Sequence, residues 1–137
     1  MAICVAVLDD DPAFLAFLGE VLADAGYAPA LVHAGVGVDK ALRRLAPEAI
    51  VLDIPARDPA ASWRILTMIA RDDSPRGVPL VVCADGTPEV EKRLRTLLRQ
   101  DDIVLPKPFE LAELLTALGR VGRKLRARAY VSADEAD

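Results

Sequence analysis

Residues 2–12 read AICVAVLDDDP, a short apolar segment that runs into three aspartates and a proline. The apolar part shows no polar alternation, which is typical of a strand buried on both faces of a parallel sheet. Asp11 before Pro12 favours a helix start, because an N-cap aspartate accepts from free backbone N–H groups and proline fits the first turn. The stretch therefore predicts a strand followed directly by a helix.

The same strand and helix pattern repeats along the chain. Four more apolar segments of strand length lie at residues 28–33, 49–52, 79–84 and 103–105. Each is followed by apolar residues at helical spacing, and further helix starts are marked by Asp58-Pro59 and Thr87-Pro88. Alternating strands and helices imply right-handed crossovers onto one sheet. We therefore predict an α/β fold with a doubly wound, five-stranded parallel sheet in three layers.

The composition is that of a single globular domain. The chain has 137 residues, of which 53% are hydrophobic and 28% charged. A domain of this size buries roughly two-thirds of its unfolded surface, so it needs no disulfide or structural metal. We expect residues 1–121 to form the domain and residues 122–137 a C-terminal tail or linker. Cys4 and Cys83 lie in apolar segments without zinc-site spacing, so we interpret them as reduced, buried thiols.

Charge and hydropathy exclude two classes of function. A net charge of −4 argues against a nucleic-acid surface on this domain, because the lysines and arginines are scattered except in a basic stretch near the C-terminus, which is typical of a solvated helix end and tail. The N-terminal apolar segment is far shorter than the about 20 residues that span a bilayer, and it runs into aspartates. We therefore predict no signal peptide and no membrane span, and place the protein in the cytoplasm.

Charged residues end the predicted strands at one edge of the sheet. The strand ends are Asp9-Asp10-Asp11, Asp53, Cys83 and Lys107. Ligands of doubly wound sheets bind at the carboxyl ends of the strands. Carboxylates gathered there repel one another, which a hard cation such as Mg²⁺ relieves. A carboxylate can also accept a phosphoryl group beside a metal and a lysine. Asp53, alone at its strand end, is the predicted acceptor.

Three segments resemble the signature segments of bacterial two-component response-regulator receiver domains. They are VLDDDP at 7–12, APEAIVLD at 46–53 and LPKPF at 105–109. The resemblance extends from residue 3 to about residue 120. It implies the flavodoxin-like fold of receivers, and it implies that Asp53 accepts a phosphoryl group from a sensor histidine kinase or a phosphotransfer protein.

The same resemblance assigns roles to the other strand-end residues. Asp10 matches the direct Mg²⁺ ligand and Asp9 the acid that holds metal-bound water, so that Asp9, Asp10 and Asp53 form the metal site. Lys107 matches the lysine that pairs with the phosphoryl group. The peptide bond from Lys107 to Pro108 would be cis, as in the family.

Three features depart from the family pattern. The segment after the acceptor reads DIPARDP at 53–59, as though two residues were deleted, and it leaves Pro55 to supply the backbone carbonyl that receivers offer to the metal. Cys83 stands where receivers carry the Ser or Thr that binds a phosphoryl oxygen, and a thiol is a weak donor. Val104 stands at the aromatic switch position and has no ring.

The resemblance also implies a signalling surface. The fourth helix, fifth strand and fifth helix would contact a downstream protein or a second copy in a homodimer. We expect Arg93, Arg95 and Arg99 to be exposed on the fourth helix, between buried leucines. The protein would act as a signalling domain rather than an enzyme, either as a stand-alone receiver or as the N-terminal part of a longer protein.

Two alternatives stay open at this point. A pseudo-receiver, which docks partners without phosphorylation-dependent switching, fits Cys83 and Val104 but not the intact Asp53 and Lys107. A haloacid-dehalogenase-like phosphatase would use the Asp-x-Asp at 9–11, but the usual Thr or Val after it is missing and Asp53 would be idle.

Overall fold

The computed structural model describes residues 2–35, 37–71 and 77–135, with side chains described as far as residue 127. Within these ranges, five strands alternate with five helices. In chain order the elements are β1 Cys4–Asp9, α1 Pro12–Asp24, β2 Ala28–His33, α2 Val38–Leu45, β3 Ala49–Asp53, α3 Ala60–Arg71, β4 Leu80–Asp85, α4 Pro88–Leu97, β5 Ile103–Lys107 and α5 Leu111–Glu135.

The strands form one parallel sheet in the order β2-β1-β3-β4-β5. This order has one reversal, at β1 and β3, where the chain begins to wind across the other side of the sheet. The predicted doubly wound, flavodoxin-like sheet is confirmed. A crevice opens at such a reversal, outside the carboxyl ends of the strands. The order of the strands therefore positions the ends of β1 and β3 side by side at the expected binding edge.

Two apolar cores, one on each face of the sheet, join it to helices on both sides and give a three-layer sandwich. In β3, Ile50 and Leu52 face the core formed with α2, α3 and α4. Ala49 and Val51 face the opposite core, formed with α1 and α5. Because side chains alternate along a strand, both faces of β3 need apolar residues. This explains why the strand segments read as continuous apolar runs.

The helix starts follow the local sequence signals at two of three predicted places. The Asp11 side chain caps α1 by accepting from the backbone N–H groups of Ala13 and Phe14, at 3.0 and 3.4 Å. Thr87 Oγ1 caps α4 by accepting from the N–H of Val90 at 3.3 Å. Both starts agree with the sequence prediction.

The predicted start of the third helix at Asp58-Pro59 is wrong. The helix begins at Ala60, and the first helical bond joins the N–H of Trp63 to the carbonyl of Pro59 at 3.0 Å. Asp58 has a φ of 50°, in the left-handed region, whereas an N-cap residue takes an extended conformation. Asp58 lies within the turn of the shortened loop, and the Asp58 side chain does not cap α3.

The segment expected to form a tail or linker overlaps α5, whose backbone stays helical to Glu135. Val121 is buried, and the partly buried Leu125 packs against the core that α1 and α5 cover. The domain boundary at residue 121 remains a prediction.

Cys83 is buried as predicted, whereas Cys4, at the start of β1, is partly exposed. In the part of the chain that the structure describes, none of the helices is both long and apolar enough to cross a bilayer.

Candidate functional site

Four of the predicted site residues project from one face of the sheet. They are Asp9, Asp53, Cys83 and Lys107. Val7, Val51 and Leu105 lie two residues before three of them and face the core with α1 and α5. Since every second side chain points the same way, the strand ends direct the polar groups to that side. The register also pairs Asp53 with Cys83 across β3 and β4.

Lys107 joins the ends of β3 and β5. Its ammonium Nζ lies 2.5 Å from Asp53 Oδ1 and donates to the carbonyl of Ile54 at 3.1 Å. The N–H of Ile54 in turn donates to the carbonyl of Cys83 at 2.8 Å. Two acceptors therefore fix the ammonium against the carboxylate of Asp53, while that side chain stays 15% exposed and open to a reactant.

Asp9 is the buried acid of the site, with 5% of its surface exposed. Its Oδ1 accepts from the N–H of Asp11 at 3.0 Å, which favours the charged form. Burial outweighs this bond and raises the pKa of Asp9 to about 6, with the negative charge of Asp53 adding to the shift. Asp9 therefore ionises less readily than an exposed aspartate.

An open cleft of about 730 Å³ lies over these strand ends. Its polar lining consists of Asp9, Asp10, Asp11, Asp53, Asp85 and Lys107. Its apolar wall includes Phe14, Phe109 and the half-exposed Phe17. The Lys107–Pro108 peptide bond at its floor is cis, as the resemblance implies. The cleft can thus receive a group that carries charge on one side and apolar surface on the other.

Cys83 lies beneath the cleft rather than in its lining. The residue is 3% exposed and belongs to the core that α1 and α5 cover. Burial raises the pKa of the Cys83 thiol to about 12, and the charge of Asp53 contributes. The thiol is therefore protonated near neutral pH, and it is chemically inert in this state because the thiolate is the nucleophile.

Two parts of the cleft are absent from the sequence prediction. Asp85 ends β4, one residue after the predicted strand end, and lies on the same face as Cys83. Extending the strand by one residue would have identified it. Phe17 of α1 is exposed beside the buried Leu15 and Leu18, and the apolar spacing of the helix gave it no role.

The donor set fits Mg²⁺. In the described ranges, no three carboxylate, imidazole or thiol groups are gathered closely enough to form a metal cage by themselves. Mg²⁺ usually takes only one or two protein carboxylates and keeps several waters. Asp9, Asp10 and Asp53 offer hard oxygen donors at the cleft.

The chain is similar to mycobacterial response regulators, although no protein-family model matches it. The DNA-binding response regulator MtrA of Mycolicibacterium smegmatis is 33% identical over 120 residues, covering 88% of this chain and 49% of that protein. The response regulator MprA of Mycobacterium ulcerans is 33% identical over 138 residues, covering 99% of this chain and 55% of that protein. The chain spans about half the length of the curated relatives it matches.

Solved structures share the fold at lower identity. Chemotaxis protein CheY4 of Vibrio cholerae has a TM-score of 0.73 and 19% identity, covering 88% of this chain and 99% of that one. The receiver domain of the sensor histidine kinase PA1611 from Pseudomonas aeruginosa has a TM-score of 0.69 and 22% identity, covering 89% and 99%. That structure is described with a magnesium ion coordinated in its active site cleft.

Proposed function

Because this chain forms a receiver domain of the response-regulator family, we propose that Asp53 accepts a phosphoryl group from phosphohistidine on a sensor histidine kinase or phosphotransfer protein. The ion pair between Asp53 and Lys107 carries the proposal, because it sets a carboxylate nucleophile beside a fixed cation in an open cleft. Receiver domains act in signalling, and we infer that this one signals through protein contacts rather than by turnover of a separate substrate.

In the proposed reaction, an Asp53 carboxylate oxygen forms a bond to phosphorus while the phosphorus–nitrogen bond of the donor breaks. The Lys107 ammonium, which donates to the Ile54 carbonyl and pairs with Asp53, would attract the phosphoryl oxygens. Asp9, Asp10 and Asp53 would hold Mg²⁺, which would neutralise part of the charge on the transferred group. Phe14 and Phe17 line the apolar side of the cleft.

We propose α4, β5 and α5 as the face for a downstream protein or a homodimer. Arg93, Arg95 and Arg99 are all exposed, as the sequence predicts. Arg93, however, stacks its guanidinium over the Trp63 ring, 4.1 Å from the centroid, and so turns towards α3. Arg95 and Arg99 border a groove that contains the 37% exposed Val104, and they are the better candidates for partner contacts.

A pseudo-receiver is the second candidate function. Its support is the buried Cys83 below Asp53, which offers a protonated thiol in place of a hydroxyl, and Val104, which has no ring to move. A ligand shifts a two-state equilibrium only by the difference between its contacts in the two states. With these contacts weakened, such a protein would dock partners whether or not Asp53 carried a phosphoryl group.

Intact-mass measurement with acetyl phosphate and Mg²⁺ tests the proposed function. We expect the wild-type protein to gain one phosphoryl group and Asp53→Asn to gain none. The matched control is Asp24→Asn, which removes an exposed carboxylate at the far end of α1 and should be modified like the wild type. Failure of the wild type to gain mass would reject the phosphoacceptor function and favour the pseudo-receiver.

A further inference from the structure

A groove runs between α3 and α4, which pack on the face of the sheet opposite α1 and α5. The proposed phosphoryl transfer does not use it. Its volume is about 520 Å³. Helical spacing places the α3 residues at 60, 63, 64 and 67 in one stripe of the helix surface. The residues that line the groove are Pro59, Ala60, Trp63, Arg64, Thr67 and, from α4, Arg93.

The groove is positively charged, although the net charge of the chain is −4. Arg64 and Arg93 are exposed, and the described residues that line the groove include no aspartate or glutamate. The acids nearest in sequence, Asp58, Glu89 and Glu91, are exposed and lie outside the lining. Among the residues that the structure describes, neither guanidinium forms an ion pair or donates a hydrogen bond. Both are therefore available to a ligand that carries negative charge.

Trp63 holds the guanidinium of Arg93 in position. The guanidinium carbon lies 4.1 Å from the centroid of the indole ring, so the π electrons of the ring attract the cation. A stacked guanidinium keeps its N–H donors in its own plane, where they can donate to a carboxylate as a fork. Because the side chain is positioned before a ligand arrives, Arg93 loses less conformational freedom on binding than a mobile arginine would.

The uncharged residues of the groove narrow the choice of ligand. Thr67 Oγ1 donates its proton to the carbonyl of Trp63 at 2.8 Å, so the free donors of the groove are the two guanidinium groups. They suit a ligand with several acceptor oxygens. Trp63 is only 7% exposed and offers no open ring on which a nucleotide base could stack. Pro59 and Ala60 add small apolar surface, which suits the methylene groups of acidic side chains.

We propose that the groove between α3 and α4 is a docking site for an acidic segment of a partner protein, whose carboxylates pair with Arg64 and Arg93. Charge complementarity carries this choice, because two unpaired cations without a neighbouring carboxylate in the lining select an acidic segment over a basic or neutral one. The site is separate from the groove that Arg95 and Arg99 border. It needs no phosphoryl group on Asp53 and is therefore independent of the proposed function.

Binding of a hexaglutamate peptide with blocked ends to the unphosphorylated full chain tests the proposal. Calorimetry at low ionic strength measures the affinity, and the NMR signal of the indole N–H of Trp63, the single tryptophan, locates the site. We expect a dissociation constant of about 1 mM or tighter. Arg64→Gln and Arg93→Gln should each weaken binding about fivefold, as for the loss of one guanidinium–carboxylate pair at a partly exposed site. Added salt should weaken binding to the wild type.

Two variants and one peptide serve as controls. Arg95→Gln removes the same charge from α4, but on the side that borders the other groove. Arg44→Gln, on α2, controls for the change in net charge. Both should bind the peptide like the wild type, and a neutral hexaglutamine peptide should leave the indole signal of Trp63 unchanged. Thermal unfolding verifies that all variants fold.

Several outcomes would overturn the proposal. Hexaglutamate that leaves the indole signal of Trp63 unchanged at millimolar concentration would reject the site. A loss of affinity in Arg95→Gln as large as in Arg93→Gln would place the peptide in the other groove. ATP that binds more tightly than hexaglutamate and depends on Arg64 and Arg93 would make the groove a nucleotide site. A wild-type dimer that dissociates when both arginines are replaced would make a second copy the occupant. Each result leaves the proposed phosphoacceptor function intact, because no step here uses Asp53.

Discussion

Because Asp9 is buried, its ionised carboxylate destabilises the fold near neutral pH. The pKa of Asp9 is raised to about 6 in the folded protein, against about 3.9 for aspartate in an unfolded chain. The folded state thus binds this proton more tightly. The relative stabilisation from Asp9 is full below about pH 3.9 and is lost as the pH rises through about 6. Above that pH, the buried charge costs free energy of folding.

We therefore expect Asp9→Asn to increase the free energy of unfolding at pH 7.5 by about 1 to 3 kcal/mol, because the amide is neutral. The amide oxygen can still accept from the N–H of Asp11. Urea unfolding at pH 5.0 and 7.5, in the presence of a chelator, measures the effect. The gain should shrink at pH 5.0, where the wild-type carboxyl is largely protonated. A variant no more stable than the wild type at pH 7.5 would contradict this account of Asp9.

At the residue scale, the sequence predicted which side chains lie together wherever strand ends determine their positions. Asp9, Asp53 and Lys107 lie at one edge because parallel strands end together, and side-chain alternation sets their shared face. Asp85 was not predicted as a residue of the cleft, because its position depends on a one-residue difference in the length of β4. The stacking of Arg93 over Trp63 depends on how two helices pack, which the spacing of residues in one helix does not encode.

At the scale of the element, α1 begins at the cleft and links the fold to the site. The Asp11 carboxylate satisfies two backbone N–H groups at the helix N-terminus, and its own N–H donates to Asp9. A cap lost to alanine costs about 1 kcal/mol, whereas asparagine caps about as well as aspartate. The same side chain can therefore be tested with and without its capping oxygen.

We expect Asp11→Ala to lower the free energy of unfolding by about 1 kcal/mol and Asp11→Asn to change it little. Both variants remove the same negative charge from the cleft, so their difference isolates the cap. Chemical denaturation followed by circular dichroism measures it. Equal losses in the two variants would show that the charge, and not the capping oxygen, stabilises α1.

Element type was predictable from the sequence, but two boundaries were not. The start of α3 differs because Asp58 takes the left-handed conformation within the shortened loop, a tertiary requirement that the Asp-Pro signal does not express. The length of α5 differs because its basic stretch after Val121 is compatible with both a helix and a solvated tail. Both differences arise where polar sequence leaves the local preference weak.

At the scale of the whole molecule, charge separates the two functional regions. The cleft at the carboxyl edge is acidic, whereas α4 presents the exposed Arg95 and Arg99 next to Val104. Charged residues at the rim of an interface steer partners and fix their register. A face with this pattern suits a partner, or a second copy, that offers carboxylates around an apolar centre.

We expect the double charge reversal Arg95→Glu with Arg99→Glu to weaken self-association or the binding of a downstream protein by at least tenfold, since like charges across an interface cost several kcal/mol. Analytical ultracentrifugation with and without beryllofluoride and Mg²⁺ measures self-association, and pull-down measures partner binding. Arg44→Glu, on α2 near the β2 edge of the sheet, away from β5, is the matched control. Unchanged self-association and partner binding in the double variant would show that the interface lies on another face.

The identity of the phosphoacceptor is the central claim, and mapping the acyl phosphate tests it most directly. The protein is phosphorylated with acetyl phosphate and Mg²⁺ and reduced with borohydride, which converts an aspartyl phosphate into homoserine. Peptide sequencing by mass spectrometry then locates the converted residue. We predict homoserine at position 53 and at no other aspartate of the cleft, with no conversion in Asp53→Asn. Homoserine at position 9, 10 or 85, or conversion that persists in Asp53→Asn, would contradict the account.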